Sequence, residues 1–347
     1  MENEYAEKLV EWFKSSKRDL PWRKNRSAYS VLVSEIMLQQ TKASAVIPYY
    51  IAWMEKFPDF ESLAKASKEE VIKMWEGLGY YSRAKNLHQI AVLVVEKFNG
   101  TFPDNRDDIL SFKGVGPYTS SAILHFAFNK RGVGADGNIK KVIARFFGFN
   151  EIITKDNKLL PLLDSFLPKV NAKDCFEGLI ELGATICGKK PLCHVCPLSS
   201  GCVAYHENLT SVLPVVKKRE KITVLFRIVF VIEKGSCILI AKEEGKLMNG
   251  LYAFPYIQTD EKFNLKVAKK QMEEKFGFKL LLKRELFEVS HTFTRYKANL
   301  KPYYFTLAES DGNLENFLLV EKDLLHNYPF SSGFKQILKN LNYTLAS

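Results

Sequence analysis

The chain has 347 residues, 46% of them hydrophobic, and its 50 Lys+Arg against 39 Asp+Glu give a formal net charge of +11. That length suits two or three domains with ample apolar material for packed cores. No segment approaches the length of a membrane span, and the positive excess suits a polyanionic partner such as nucleic acid. The opening MENEYAEKLVEWFKSSKR is amphipathic and charged and does not read as a signal peptide. The expectation is a soluble cytoplasmic protein, nucleoid-associated in a bacterium.

Residues 1–207 read as mostly helical. The runs EYAEKLVEWFKSS, SVLVSEIMLQQT, ASAVIPYYIAWMEKF, KEEVIKMWEGL, RAKNLHQIAVLVVEKF and TSSAILHFAF repeat apolar residues at the helical period. Gly, Pro and Asn signals separate them. Between NRDDILSF and TSSAILHFAF lies K-G-V-G-P. Gly114 and Gly116 permit a tight hairpin with exposed N–H groups, and Pro117 suits a first helical turn. The arrangement predicts helix–hairpin–helix, with an anion site at the second helix's N-terminus. An ordinary interhelical turn would look the same.

Four of the six cysteines, Cys187, Cys193, Cys196 and Cys202, follow a predicted helix in the spacing C-x5-C-x2-C-x5-C. Thiolates at such density favour zinc or an iron–sulfur cluster. Zinc ribbons usually pair two C-x2-4-C units across a longer stretch, so the uneven spacing points to [4Fe–4S] with zinc still open. Having only Cys175 and Cys237 outside this loop fits a reducing compartment.

Residues 208–223, with Pro214 and the basic run Lys217, Lys218 and Arg219, read as a linker. Beyond it, VLFRIVFVIE, SCILIAKE and NLKPYYFTLAE are apolar and β-branched, with one helical stretch, KVAKKQMEEKFGF. They predict an α+β domain with an antiparallel sheet over 224–347.

LPWR at 20–23, VSEIMLQQT at 33–41, GLGYYSRAKNL at 77–87, GVGPYT at 114–119 and DGNIKKV at 136–142 closely resemble the MutY family of adenine DNA glycosylases, within the endonuclease III superfamily. The resemblance covers essentially the whole chain and is most specific over 20–202. It implies a multidomain α plus α+β fold. A six-helix barrel with the helix–hairpin–helix spans 27–135, and an iron–sulfur module is built from 1–26 and 136–207. A Nudix-like domain that reads 8-oxoguanine follows. The family's loop usually has six residues between its first two cysteines, where this chain has five.

The resemblance also assigns roles. Glu35, on an apolar helix, and Asp136, at a helix start, coincide with the catalytic pair. From the residues alone, Glu35 could be a surface group and Asp136 a simple N-cap. A carboxyl among apolar neighbours is expected to hold its proton and act as a general acid, whereas a helix start favours the anion. The implied chemistry is cleavage of the bond between adenine and C1′. Glu35 protonates the base, and Asp136 stabilises the cationic sugar through a transient covalent adduct. Tyr118 and Asn138 hold these groups in place. Bifunctional relatives carry lysine where this chain has Tyr118, so the expectation is a monofunctional enzyme.

Extruding the base leaves a gap, and the resemblance places Gln40, Thr41, Leu78 and Tyr80 around the widowed partner. Lys189 and Lys190 are phosphate contacts by the same reading, and otherwise a solvated turn. In the Nudix-like domain, KQMEEKFG departs from the hydrolase box R-E-x-x-E-E-x-G and leaves only Glu274 as a carboxylate, so a reader is expected rather than a pyrophosphatase. Phe293, Thr294 and Arg295 stand where the family commonly has Phe-Ser-His. The expected partner of this monomer is double-stranded DNA with adenine opposite 8-oxoguanine or guanine. A bifunctional glycosylase/lyase and a noncatalytic iron–sulfur DNA-binding protein are the rival readings.

Overall fold

The computed structural model describes residues 2–153, 158–216, 222–243, 248, 250–293, 295–308 and 314–345. Lys217, Lys218, Arg219 and Thr294 fall outside them. The chain packs as two compact units. One comprises Met1–Lys65 with Asn86–Lys218, and the other Ala66–Lys85 with Arg219–Ser347. Ala66–Lys85 is thus grouped by its contacts with the second unit.

The helical region runs through α1 (Glu2–Ser16), α2 (Ala28–Leu38), α3 (Ala43–Lys56), α4 (Phe60–Lys65), α5 (Lys68–Met74) and α6 (Ser82–Lys97). It continues with α7 (Arg106–Ser111), α8 (Pro117–Phe128), α9 (Gly137–Phe146), α10 (Leu159–Phe166), α11 (Ala172–Thr185) and α12 (Val203–His206). Side-chain caps define the starts. Ser27 accepts from the Ser30 amide, Asn105 from Asp108, and Ser67 forms a reciprocal capping box with Glu70. α2 is buried almost throughout, from Tyr29 to Met37, which is why its sequence is apolar on every side.

A second core joins the first helix to the last third of this unit. Leu9 and Val10 of α1 pack with Ile139 and Ile143 of α9, Leu163 of α10 and Phe176 of α11. Glycines permit the closest approaches. A Cβ on Gly183 would lie 2.5 Å from the Asn138 Cβ, and one on Gly178 3.1 Å from Leu9.

The other unit is built on a mixed eight-stranded sheet. Its strands are β1 (Thr223–Lys234), β2 (Cys237–Lys242), β3 (Tyr252–Ala253), β4 (Tyr256–Thr259), β5 (Leu280–Glu285), β6 (Val289–Phe293), β7 (Tyr296–Leu307) and β8 (Leu318–Glu321). The antiparallel expectation needs correction at the centre. β1 and β7 run parallel, from Thr223 opposite Tyr296 to Glu233 opposite Thr306. A parallel pair needs a long crossover, which the intervening strands and α13 (Leu265–Phe276) supply. Both faces are covered. Ile228, Phe230 and Ile232 meet Ala268 and Met272 of α13, whereas Val229 and Val231 share a core with Phe334, Ile337 and Leu341 of α14 (Ser332–Leu345). Double coverage explains the unbroken apolar run of β1.

Candidate active site

Glu35, Tyr118, Asp136 and Asn138, read from separate parts of the sequence, line one cleft of about 920 Å³ in the helical unit, with Gln40 and Thr41 at its wall. Glu35 projects from the last turns of α2 and is 6% exposed. Burial pushes its carboxyl up to about 8, the neighbouring Asp136 and Glu177 charges add to the rise, and a hydrogen bond from the Tyr118 hydroxyl opposes it. Burial and both carboxylates hold the Tyr118 phenol protonated, its pKa raised well above the ordinary value.

Asp136 is both an N-cap and a wall of the cleft. Its Oδ1 accepts from the Ile139 amide at 2.7 Å and its Oδ2 from Asn138 Nδ2 at 3.0 Å. Burial raises its pKa, while those donors and Lys141 pull it back towards the anion. Burial thus raises both carboxyls of the cleft, one facing a single phenol donor and the other held back by two N–H donors.

The floor of the cleft is a charge network the sequence reading missed. Glu177 and Glu181 stand one turn apart on the buried face of α11. Arg18 reaches Glu181 at 2.6 Å, Arg23 bridges Glu177 at 2.7 Å and Glu181 at 2.8 Å, and Arg26 holds Glu177 at 2.7 Å. Burial works against ionised Glu181, but Arg18 and Arg23 outweigh it and hold the group below its ordinary range. Two glutamates at i, i+4 amid Phe176, Leu179 and Leu182 were the available signal.

The hairpin forms as expected. α7 and α8 flank it, Gly114 adopts φ 93°, Gly116 is the N-cap of α8 and Pro117 opens that helix. A Cβ on Gly114 would strike Asn86 at 2.6 Å, whereas one on Gly116 would meet nothing within 4 Å, leaving that backbone open. Gln39 Nε2 donates to the Gly114 carbonyl and to Thr119 Oγ1, both at 3.3 Å, tying the end of α2 to the hairpin. Gln40, next along, is exposed at φ 56°.

Cys187, Cys193, Cys196 and Cys202 are free thiols around one small cavity. Among the described residues no three His, Cys, Asp or Glu side chains are grouped to hold a metal ion. The donor set nevertheless suits a thiolate-bound group. Arg145, 4% exposed, places its guanidinium 3.3 Å from Cys187 Sγ and otherwise donates to the carbonyls of Gly188, Thr210 and Leu213. A cation buried among carbonyls calls for a negative partner, which a metal-bound thiolate supplies. Lys189 and Lys190 are exposed in the loop after Cys187.

Leu78, Tyr80, Phe293 and Arg295 belong to the other unit. Tyr80 is 39% exposed, but Leu78 is buried at 7%. Phe293 stacks between His291 and Tyr296, and Arg295 lies over the Tyr296 ring and donates to its hydroxyl at 3.3 Å. Glu274 of the altered box is exposed and pairs with Lys270 at 3.6 Å. No helix among the described residues is long and apolar enough to cross a membrane.

Known proteins resemble this chain. Residues 33–162 match the HhH-GPD superfamily of base excision DNA repair proteins, and residues 228–340 match the NUDIX domain. An adenine DNA glycosylase of Buchnera aphidicola subsp. Baizongia pistaciae is 33% identical, the match covering 80% of this chain and 82% of that one. The human adenine DNA glycosylase is 40% identical over 56% of this chain and 38% of its own length. A thermostable thymine-DNA glycosylase superposes with a TM-score of 0.55 at 32% identity, covering 59% of this chain and 97% of that one. With the hairpin, the paired carboxyls and the Nudix-like sheet in one sequence, the chain belongs to the adenine DNA glycosylase family of the HhH-GPD superfamily.

Proposed function

We propose that this protein is a monofunctional DNA glycosylase, acting as a monomer, that removes adenine paired with 8-oxoguanine or guanine in duplex DNA. The observation that carries the reading is the unlike pair of carboxyls in one cleft. Glu35 keeps its proton at neutral pH because burial raises it to about 8, while Asp136 is met by two N–H donors that favour its anion.

The extruded nucleotide enters the cleft with its base towards Glu35. Tyr118 orients the Glu35 carboxyl by donating to it, and Glu35 delivers its proton to adenine, at N7 in our reading. The bond from N9 to C1′ breaks, the electron pair leaves with the base, and positive charge develops on the sugar. Asp136, held by Ile139 and Asn138, stabilises that charge directly or as a transient ester to C1′. Ionised Glu35 then takes a proton from water, whose oxygen bonds to C1′ and, where the ester has formed, displaces the Asp136 carboxylate. Tyr118 stands where lyase relatives have lysine and cannot form an imine, so the product is an intact abasic strand.

The hairpin amides near Gly114 and Gly116, with Lys189 and Lys190, bind phosphates. Gln40, Thr41 and the turn Leu78–Tyr80 occupy the space of the widowed base. Phe293 and Arg295, with Thr294 between them in the sequence, read the opposing lesion. Cys187, Cys193, Cys196 and Cys202 would hold a [4Fe–4S] cluster, which supplies a thiolate cross-link at the end of α11 and no step of base removal.

Single-turnover assays on duplexes pairing adenine with 8-oxoguanine, guanine or thymine test the proposal. Release of adenine from the first two, well ahead of the third, with cutting only after alkali, is the expected result. Borohydride trapping with strand scission as fast as base loss would overturn it.

A further inference from the structure

The turn that carries Leu78 and Tyr80 is gripped by a charged clip inside the C-terminal unit. Glu76, immediately before Gly77, is 8% exposed. Its Oε1 accepts from the Phe330 amide at 3.0 Å, and its Oε2 accepts from Lys335 Nζ at 2.8 Å and Lys73 Nζ at 3.0 Å. Burial works to raise the Glu76 carboxyl, but Lys335, the Phe330 amide and Lys73 together hold it below its ordinary value, as an anion. Lys73 also donates to the His326 carbonyl. Lys335 belongs to α14, which covers the sheet face whose hairpin carries Phe293 and Arg295.

The turn itself has little freedom of its own to relax. Gly77, Gly79 and Tyr80 all have positive φ, at 102°, 75° and 50°. Arg83 ties the Leu78 and Gly79 carbonyls at 3.2 and 3.0 Å, and Trp75 Nε1 donates to the Gly79 carbonyl at 3.0 Å. A second anchor lies nearby, where a Cβ on Gly250 would sit 3.1 Å from both Ile72 and Lys85. A turn so over-determined presents Tyr80 in one orientation, and the charged end of that support is Glu76.

We propose that Glu76, through Lys335 and the Phe330 amide, is a positioning residue that fixes the Leu78–Tyr80 turn to the unit carrying the lesion-reading hairpin, so that insertion at the widowed base depends on α14. This rests on the reading that Leu78–Tyr80 meets DNA. Removing the clip loosens the turn and lowers affinity for the mispair more than it lowers the rate of base removal at saturating enzyme.

The test uses the full chain, with Glu76→Gln, Lys335→Met, Tyr80→Ala and the two double variants that contain Tyr80→Ala. Binding is measured to a duplex with a non-hydrolysable adenine analogue opposite 8-oxoguanine, and a 2-aminopurine next to 8-oxoguanine reports unstacking. Glu76→Gln keeps the side-chain volume and an acceptor for the Phe330 amide, and Lys335→Met keeps the stem, so melting temperature serves as the check on folding. The expected result is binding about tenfold weaker, about 1.4 kcal/mol, a smaller 2-aminopurine signal, and an excision rate lowered by less than the affinity. In the Tyr80→Ala background neither change should add to the loss, because both act through the turn. Full additivity there, or unaltered binding and fluorescence in folded Glu76→Gln, would overturn the proposal. Normal binding by Tyr80→Ala itself would instead defeat the underlying reading of the turn.

Discussion

Replacing Glu35 by glutamine should destroy catalysis and, at alkaline pH, stabilise the fold. The unfolded chain releases this proton near the ordinary value of 4.5, whereas the buried group retains it to about 8. Between those pH values the folded state binds more protons than the unfolded one, so stability falls as pH rises through the window and levels off above it. Moving a carboxyl that far corresponds to at most about 5 kcal/mol. Glutamine has nearly the same shape, keeps an acceptor for the Tyr118 hydroxyl and carries no charge at any pH. Urea unfolding from about pH 4 to about pH 9 should therefore show wild type and Glu35→Gln converging at the acid end, with the variant gaining steadily towards the alkaline end. Single-turnover excision by wild type should fall as pH rises through about 8, as the acid form is lost, and the variant should be slower by at least about 10²-fold. A stability difference that stays flat with pH would refute the burial argument, and near-normal excision by the variant would refute the assignment of the acid.

Asp136→Asn should lower single-turnover excision by at least about 10²-fold while mispair binding persists, as measured with quenched-flow kinetics and filter binding. Gly183→Ala, whose Cβ would meet Asn138 at 2.5 Å and its backbone at 2.9 Å, should destabilise the fold by about 1–3 kcal/mol and slow excision by displacing the start of α9, seen by urea melts and kinetics together. Metal analysis after anaerobic purification should find about four irons per chain, and Cys196→Ser should lose them with a lower melting temperature; one zinc and no iron would decide for the other metal. Arg295→His should sharpen discrimination of 8-oxoguanine from guanine, because a neutral imidazole can accept a hydrogen bond and a guanidinium only donates; binding ratios across a salt series measure this.

The local devices were legible because they are written in adjacent residues. Gly114, Gly116 and Pro117 spell a hairpin entering a helix, and Asp136 caps α9 while also lining the cleft. Glu35 could be picked out from its apolar neighbours, but its raised pKa comes from the burial that the fold gives it, with Asp136 and Glu177 adding to the rise, and no local pattern brings these together. The arginine–glutamate floor escaped notice because its partners lie more than 150 residues apart. Strand direction was lost for a related reason. An apolar run shows that β1 is buried on both faces, but its hydrogen-bonding partner and that partner's sense are set by the crossover. Nor does any composition change mark Ala66–Lys85, whose place in the C-terminal unit is fixed by Glu76, Lys335 and Phe330.

The charges of the cleft also divide the labour between holding DNA and breaking the bond. Arg18, Arg23 and Arg26 are all engaged by Glu177 and Glu181. Arg23, only 11% exposed and paired with both carboxylates, offers little to a phosphate, and moving it would strand buried anions. In the proposed function, attraction for the DNA backbone is therefore assigned to other basic residues of this +11 chain and to the hairpin at Gly116, where an added Cβ would meet nothing within 4 Å. What the paired floor gives the chemistry is a cleft wall whose charges are fixed in place. Against it, burial can keep Glu35 protonated beside Asp136.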